Sequence, residues 1–127
     1  MGLGTSTARI RLVRNIGRGL VGAGILTLAG CGGGTPDIAV ELREFAFNPS
    51  QIEVPAGQKS TLVLKNVGNM EHRLSIPQLR LESPAVAPGQ TVRFDVVAPP
   101  GNQKIICSMP THDEAGMTGE IRSVRRR

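Results

Sequence analysis

Short apolar segments that alternate with polar residues are the feature of this sequence that most restricts its fold. The clearest covers residues 92–96, where Val, Phe and Val alternate with Arg and Asp. A period of two residues is typical of a β-strand that buries one face. From residue 37 onward, no apolar repeat of about 3.6 residues is long enough for a helix. We therefore predict an all-β domain.

Turn signals separate these segments at intervals typical of a β-sandwich of seven or eight strands. Pro55-Ala56-Gly57-Gln58 and Ala87-Pro88-Gly89-Gln90 each place Pro and Gly where a tight turn needs them. The predicted strands are 38–42, 52–54, 61–65, 72–76, 79–81, 92–96, 103–107 and 118–124.

A run near the C-terminus carries the residues with metal-binding chemistry. Four residues separate Cys107 from His112, and four more separate His112 from Met117. One cysteine, two histidines and a distant axial methionine form the ligand set of mononuclear electron-transfer copper. The chain has two histidines, so His72 is the only candidate for the fourth ligand. Zinc is less favoured, because structural zinc sites use more thiolates or histidines and no thioether.

The predicted strands aim three of these residues toward the core. His72, Cys107 and Met117 each share a strand face with apolar residues two or four positions away. His112 lies in the loop between two strands. We therefore expect a copper site at one end of the sandwich, formed by His72, Cys107, His112 and Met117.

The N-terminal thirty residues are predicted to be a signal peptide rather than part of the domain. A basic segment without acidic residues precedes an apolar run, residues 19–30, that ends in Leu28-Ala29-Gly30-Cys31. This ending resembles the lipobox of bacterial lipoproteins, which predicts lipidation of Cys31 and an extracytoplasmic, membrane-anchored protein. An ordinary cleaved signal and an uncleaved anchor are the alternatives, although the run is only about half of the ~20 residues that a spanning helix needs.

The excess of basic over acidic residues nearly disappears once residues 1–30 are left out of the count. Four of the 15 Lys and Arg lie within residues 1–30, which leaves 11 against 10 acidic residues. Three of those 11 form a basic tail at residues 125–127, so we expect no nucleic-acid partner. Residues 31–36 are glycine-rich and are predicted to be a flexible tether. With Cys31 lipidated, Cys107 is a lone thiol in an oxidising compartment, and a bound metal explains its presence.

Four stretches carry a resemblance to a known family: Phe45-Ala-Phe-Asn-Pro49, Ile52-Glu-Val-Pro-Ala-Gly57, Asn66 ahead of His72, and Cys107-x4-His112-x4-Met117. Over residues 37–124 the chain resembles the cupredoxin superfamily of plastocyanin and azurin, with a ligand loop of the rusticyanin and auracyanin type. The resemblance implies an eight-strand Greek-key sandwich with one type 1 copper per chain.

The resemblance also implies a role for each ligand. Cys107 would be the thiolate that makes the site blue, Met117 the weak axial ligand, and His112 the exposed ligand through which electrons pass. One position departs from the family: Arg73 stands where many cupredoxins have an asparagine that ties the two ligand loops together. Asn66 and Asn69 are the candidates to replace it.

We accordingly expect a monomeric blue copper protein that carries single electrons and is not an enzyme. Both histidines belong to the one site, so none remains for a catalytic copper, and copper would occupy the thiol needed for nucleophilic catalysis. A redox partner, such as a cytochrome, oxidase or reductase, is expected to dock near His112. The alternative is a copper-binding or copper-delivery module without an electron-transfer role.

Overall fold

A computed structural model describes Gly34 and residues 36–127. The predicted signal peptide, the lipidation site Cys31 and the rest of the tether lie outside the described residues. The described residues form nine strands and one short 3-10 turn: β1 Asp37–Arg43, β2 Ala46–Asn48, β3 Gln51–Pro55, β4 Lys59–Asn66, β5 Leu74–Ile76, the turn Pro77–Leu79, β6 Leu81–Glu82, β7 Thr91–Val97, β8 Gly101–Cys107 and β9 Thr118–Val124.

The strands form two mixed sheets that pack into a β-sandwich. The first has the order β2-β1-β4-β7 and the second the order β3-β9-β8-β5-β6. The pairs β1–β4 and β3–β9 are parallel, and the other pairs are antiparallel. Buried side chains from both sheets make one hydrophobic cluster. The predicted all-β sandwich is therefore confirmed.

The period-two alternation corresponds to burial along the strands. Phe94 and Val96 of β7 point into the core, as do Leu62 and Leu64 of β4. The two predicted turns also form. Gly89 has φ +78°, and Gln90 donates its backbone N–H to the Ala87 carbonyl at 2.9 Å. Pro at the second position and a positive-φ Gly at the third are the signature of a type II turn.

Two short segments differ from the prediction. Strand β2 was not predicted, because it has three residues and only Phe47 among them is buried. The strand predicted at 79–81 is wrong in its first half. Pro77 begins a 3-10 turn there, Arg80 ends it in a left-handed conformation, and the extended chain resumes at Leu81. Proline suits the first position of a helical turn because its φ is already fixed near the helical value.

The sheet containing β8 places the metal-ligand candidates at one end of the sandwich. Strand β5 runs antiparallel to β8, with Leu74 opposite Cys107. The backbone N–H of Cys107 donates to the carbonyl of Met117 at 3.0 Å, just before β9. His72 precedes β5 and forms an isolated bridge with Val86 rather than lying within a strand. Residues distant in sequence therefore meet where β5 starts, β8 ends and β9 starts.

Within the described part of the chain, no helix has the length and apolar character needed to cross a membrane.

Candidate metal centre

His72, Cys107 and His112 form a buried cluster at this end of the sandwich. Their candidate donor atoms all lie within 4.8 Å of one another. The Cys107 Sγ is 4.0 Å from Nδ1 of His72 and 3.5 Å from Nδ1 of His112. Cys107 and His72 are fully buried, and His112 is 4% exposed. Three of the four predicted ligands are therefore adjacent, with one nitrogen of each ring directed at the thiol.

The separations fit a single ion bound between the three side chains. A sulfur ligand lies about 2.3 Å from a zinc-sized ion and an imidazole nitrogen about 2.0–2.1 Å. At tetrahedral to trigonal angles, two such donors lie about 3.5–3.8 Å apart. The 3.5 Å between Cys107 and His112 lies in this range, and the 4.0 Å between Cys107 and His72 is slightly longer. A thiolate with two imidazoles is a soft to borderline donor set, which suits copper and does not suit magnesium or calcium.

Burial keeps His72 in the form that binds a metal. Desolvation lowers the pKa of His72, the nearby His112 lowers it further, and Glu44 partly opposes both effects. A neutral imidazole offers a lone pair, whereas a protonated one does not. Nε2 of His72 is also buried and has no hydrogen-bond partner among the described residues. The ring is held in place by packing and by its backbone bridge to Val86, in which the two hydrogen bonds are 3.2 and 2.8 Å long.

His112 is held by the loop that connects β8 to β9. Its backbone N–H donates to the Met109 carbonyl at 3.1 Å, and its carbonyl accepts from Met117 at 3.0 Å. The ring of His112 lies 5.2 Å from the ring of His72, measured between centroids. The edge-on ring of Phe45 lies on another side, with centroids 5.5 Å apart and an interplanar angle of 87°.

The contact between Phe45 and His112 corrects the expectation that His112 is exposed. The family resemblance implies an exposed histidine ligand at position 112, whereas the structure leaves only 4% of His112 exposed. Phe45, which is itself 42% exposed, lies against the imidazole and contributes to its burial. The outermost group over this part of the site is therefore a phenyl ring.

Met117 lies beside the cluster, but its role as axial ligand stays a prediction. The residue is fully buried, and its backbone is joined to Cys107 and His112 by hydrogen bonds of 3.0 Å each. It belongs to the same hydrophobic cluster as Cys107. A buried thioether at this position suits a weak, soft ligand.

Asn66 fixes the loop that precedes His72. Its side-chain nitrogen donates to the carbonyls of Met70 and Val86, at 2.6 and 2.8 Å, and its side-chain oxygen accepts the N–H of Gly68 at 2.9 Å. Asn66 is fully buried. Because Val86 also bridges His72, these bonds position the first histidine. They do not reach the loop after Cys107, so Asn66 does not replace the asparagine that ties the two ligand loops in many cupredoxins.

The turn between β1 and β2 also holds the loop that precedes His72, through a contact that the sequence did not predict. The Glu44 carboxylate accepts the backbone N–H groups of Asn69 and Met70, the second at 3.1 Å. A Cβ on Gly68 would overlap that carboxylate, so a larger residue there would require the Glu44 side chain to shift. Phe45, next in the chain, has φ +59°, which a bulky residue rarely adopts. The contact of Asn69 with Glu44 is made by its backbone N–H, and among the described residues its side chain makes no hydrogen bond that ties the ligand loops.

A small β-sandwich with a buried sulfur and nitrogen cluster at one end is the class of protein that the fold and the site define. The sequence matches the cupredoxin-like domain family over residues 24–119. The chain therefore belongs to the cupredoxin-like family. Family, fold and the His-Cys-His cluster together support a blue copper protein and copper as its metal.

Solved structures of similar fold include two auracyanins. Reduced auracyanin from the photosynthetic bacterium Roseiflexus castenholzii is 20% identical, with a TM-score of 0.62; the match covers 69% of this chain and 96% of that one. Auracyanin A, a blue copper protein from Chloroflexus aurantiacus, is 22% identical with a TM-score of 0.56, over 69% of this chain and 99% of that one. At these identities the similarity establishes the fold alone.

The same fold also occurs as one part of a larger copper enzyme. A copper-containing nitrite reductase from Thermus scotoductus is 22% identical with a TM-score of 0.57; the match covers 74% of this chain but only 28% of that one. Comparison with curated protein sequences finds no significant match.

Proposed function

We propose that this protein is a type 1 copper protein that carries single electrons between extracytoplasmic redox partners. The observation that supports it is the buried cluster of His72, Cys107 and His112 at one end of a cupredoxin-like sandwich. A copper ion held there would supply the Cu(II)/Cu(I) couple. One ion per chain accounts for all four ligand candidates.

The protein's own residues would hold the ion and limit its rearrangement. Nδ1 of His72, Nδ1 of His112 and the Cys107 thiolate would be the three close donors, and the Met117 thioether would be the fourth, weaker one. Two of these side chains sit on or beside strands whose backbone hydrogen bonds do not depend on the metal. A site that changes little between oxidation states accepts and releases an electron with little reorganisation. Burial of the cluster keeps water out of the ion's coordination.

The number of histidines favours electron transfer over catalysis. The chain has two histidines, and both belong to the one cluster. A second, catalytic copper would need further histidines. We therefore propose a carrier rather than an enzyme.

The proposed location is the outer side of the cell membrane, with lipid on Cys31. It rests on the Leu28-Ala29-Gly30-Cys31 motif and the glycine-rich residues that follow. A redox partner would dock over His112, where Phe45, Pro110 and Ala115 are exposed. We propose a monomer for this role, because a carrier must leave that surface free.

Copper loading of the purified protein tests the proposal. We expect an intense visible absorption band from thiolate-to-copper charge transfer, together with a reversible one-electron wave. Cys107→Ser should abolish the band, and Cys31→Ser, the matched change at the other cysteine, should leave it intact. A copper-loaded protein without the band, or a band that survives in Cys107→Ser, contradicts the proposal. Ready transfer of copper to a second protein, without reversible electron exchange, would favour copper delivery instead.

A further inference from the structure

Arg73, which follows the first ligand candidate, takes part in a three-residue bridge to the segment after Cys107. The Arg73 guanidinium donates from Nη1 to Oε1 of Glu82 at 3.2 Å. The hydroxyl of Ser108 donates to the same oxygen at 2.5 Å. Arg73 and Ser108 directly follow His72 and Cys107 in the chain. One carboxylate oxygen therefore joins the residues next to two ligands.

Backbone hydrogen bonds place these three residues in register. The N–H of Ser108 donates to the carbonyl of Arg73 at 3.1 Å. Glu82 lies on β6, opposite Ser75 of β5. The N–H of Leu74 donates to the hydroxyl of Ser83 at 3.0 Å, which holds β6 against the start of β5. The carboxylate of Glu82 is thus brought to the point where the two ligand segments meet.

The bridge carries charge at neutral pH. The hydrogen bond from Ser108 lowers the pKa of Glu82, and the hydrogen bond and positive charge of Arg73 lower it further. Hydrogen bonds to an ionised carboxylate are shorter and stronger than those between neutral groups. The side chains of Arg73 and Glu82 are nevertheless 39% and 45% exposed, so the ion pair adds little to global stability. Any effect of the bridge should appear locally, in how the two ligand segments are held.

We propose that Glu82 is a positioning residue for the metal centre: it ties the His72 segment to the Cys107 segment through Arg73 and Ser108. Arg73, one member of this bridge, stands where many cupredoxins have an asparagine. Hydrogen-bonded groups outside the ligand set orient the ligands, and their loss typically lowers metal affinity about 10–100-fold. The inference rests on the proposed copper function only in its metal-loaded test.

The test compares Glu82→Ala, Ser108→Ala and the double variant with wild type. Glu82→Gln is the conservative variant, because its amide oxygen still accepts the Ser108 hydroxyl. Glu41→Ala is the matched control, because Glu41 is also a strand glutamate paired with an arginine, Arg43, but lies on the other sheet. Copper affinity is measured by competition with a chelator. Hydrogen exchange at the Ser108 amide is measured on the metal-free protein.

We expect Glu82→Ala and Ser108→Ala each to lower copper affinity about 10-fold. The double variant should lose no more than Glu82→Ala alone, because both changes break one bridge. Glu82→Gln should recover part of the affinity, and Glu41→Ala should match wild type. In metal-free Glu82→Ala, the Ser108 amide should exchange about 5-fold faster, because the side-chain bridge that holds its segment against Arg73 is lost.

The two hypotheses fail in different ways. A wild-type protein that binds no copper or shows no blue band contradicts the proposed function, and the bridge is then judged on amide exchange alone. Unchanged exchange at Ser108 in Glu82→Ala overturns the bridge. A wild type with the blue band whose copper affinity is unchanged in Glu82→Ala also overturns Glu82 as a positioning residue. Equal losses in Glu41→Ala and Glu82→Ala would show a general charge effect and overturn it too.

Discussion

At the scale of single residues, Asn66 is the polar side chain that the loop before His72 depends on most. Asn66→Ala removes three hydrogen bonds and leaves the buried carbonyl of Val86 without this donor. The Val86 carbonyl keeps the N–H of His72 as a donor, and each lost hydrogen bond contributes about 0.5–1.5 kcal/mol to stability. We therefore expect the metal-free variant to lose about 2–3 kcal/mol in its free energy of unfolding, measured by urea denaturation.

Asn102→Ala is the control for this prediction, because Asn102 is an exposed asparagine on β8. Its free energy of unfolding should stay within about 0.5 kcal/mol of wild type. Equal stability losses in the two variants would contradict the role assigned to Asn66.

Phe45 combines an unfavourable backbone conformation with a contact to His112, and two substitutions separate these effects. Phe45→Ala removes the ring and keeps a Cβ at φ +59°, whereas Phe45→Gly removes both the ring and the steric penalty. A left-handed conformation costs a non-glycine residue about 1–2 kcal/mol. We expect Phe45→Gly to be more stable than Phe45→Ala by about 1 kcal/mol in urea denaturation.

Both Phe45 variants should shift the imidazole resonances of His112 in NMR spectra, because both lose the edge-on ring. Unshifted His112 resonances would mean that the ring contact does not exist in solution. Greater stability of Phe45→Ala than of Phe45→Gly would contradict the strain assigned to the backbone.

At the scale of elements, β4 is one of the two interior strands of the first sheet. It pairs in parallel with β1 and in antiparallel with β7, and Leu62 at its centre is fully buried opposite Phe94. Truncation of a buried leucine to alanine costs about 2–5 kcal/mol. We expect Leu62→Ala to lower the free energy of unfolding by about 3 kcal/mol.

Val97→Ala tests whether that loss comes from burial. Val97 ends β7 and is 53% exposed, so its truncation should change the free energy of unfolding by less than about 1 kcal/mol. A similar loss at both positions would mean that β4 is not the buried centre of the sheet.

At the scale of the whole molecule, hydrogen bonds and ion pairs of surface carboxylates make the stability depend on pH in the acid range. Partners lower the pKa of five carboxyl groups spread over both sheets: those of Asp37, Glu41, Glu44, Glu82 and Asp95. Hydrogen bonds are the largest cause for each, from Arg93 to Asp37 and from Ser108 to Glu82, for example. The folded state thus binds protons less readily than the unfolded state.

The direction in which stability changes with pH follows from this difference in proton binding between the folded and unfolded states. Stability from these groups is fully present above their unfolded pKa values of 3.8 for Asp and 4.5 for Glu, and it is lost as pH falls through the lower folded values. The urea midpoint of the metal-free protein should therefore be lower at pH 3 than at pH 7. Added salt should reduce the contribution of exposed pairs at pH 7. An equal or higher midpoint at pH 3 would contradict the prediction.

Local patterns in the sequence were enough for the longer strands and for the ligand candidates. Alternation predicted β4 and β7 because burial on a strand repeats every second residue, and the Pro and Gly turns are visible within four residues. The loop from Cys107 to Met117 could be interpreted because three ligand candidates lie close together in the chain. With two histidines in the sequence, His72 followed as the fourth candidate.

Tertiary contacts decided what surrounds those ligands. Glu44 reaches Asn69 across 25 positions, and Glu82 reaches Ser108 across 26. The Phe45 ring lies against His112, far along the chain, and helps to bury a ligand candidate that the family resemblance implied was exposed. Contacts of this kind leave no periodic pattern or fixed spacing in the sequence, because they depend on which ends of the two sheets the folded chain brings together. The sequence alone therefore determined the sandwich and the candidate donor set, and only the folded structure decided how the donors are covered and tied.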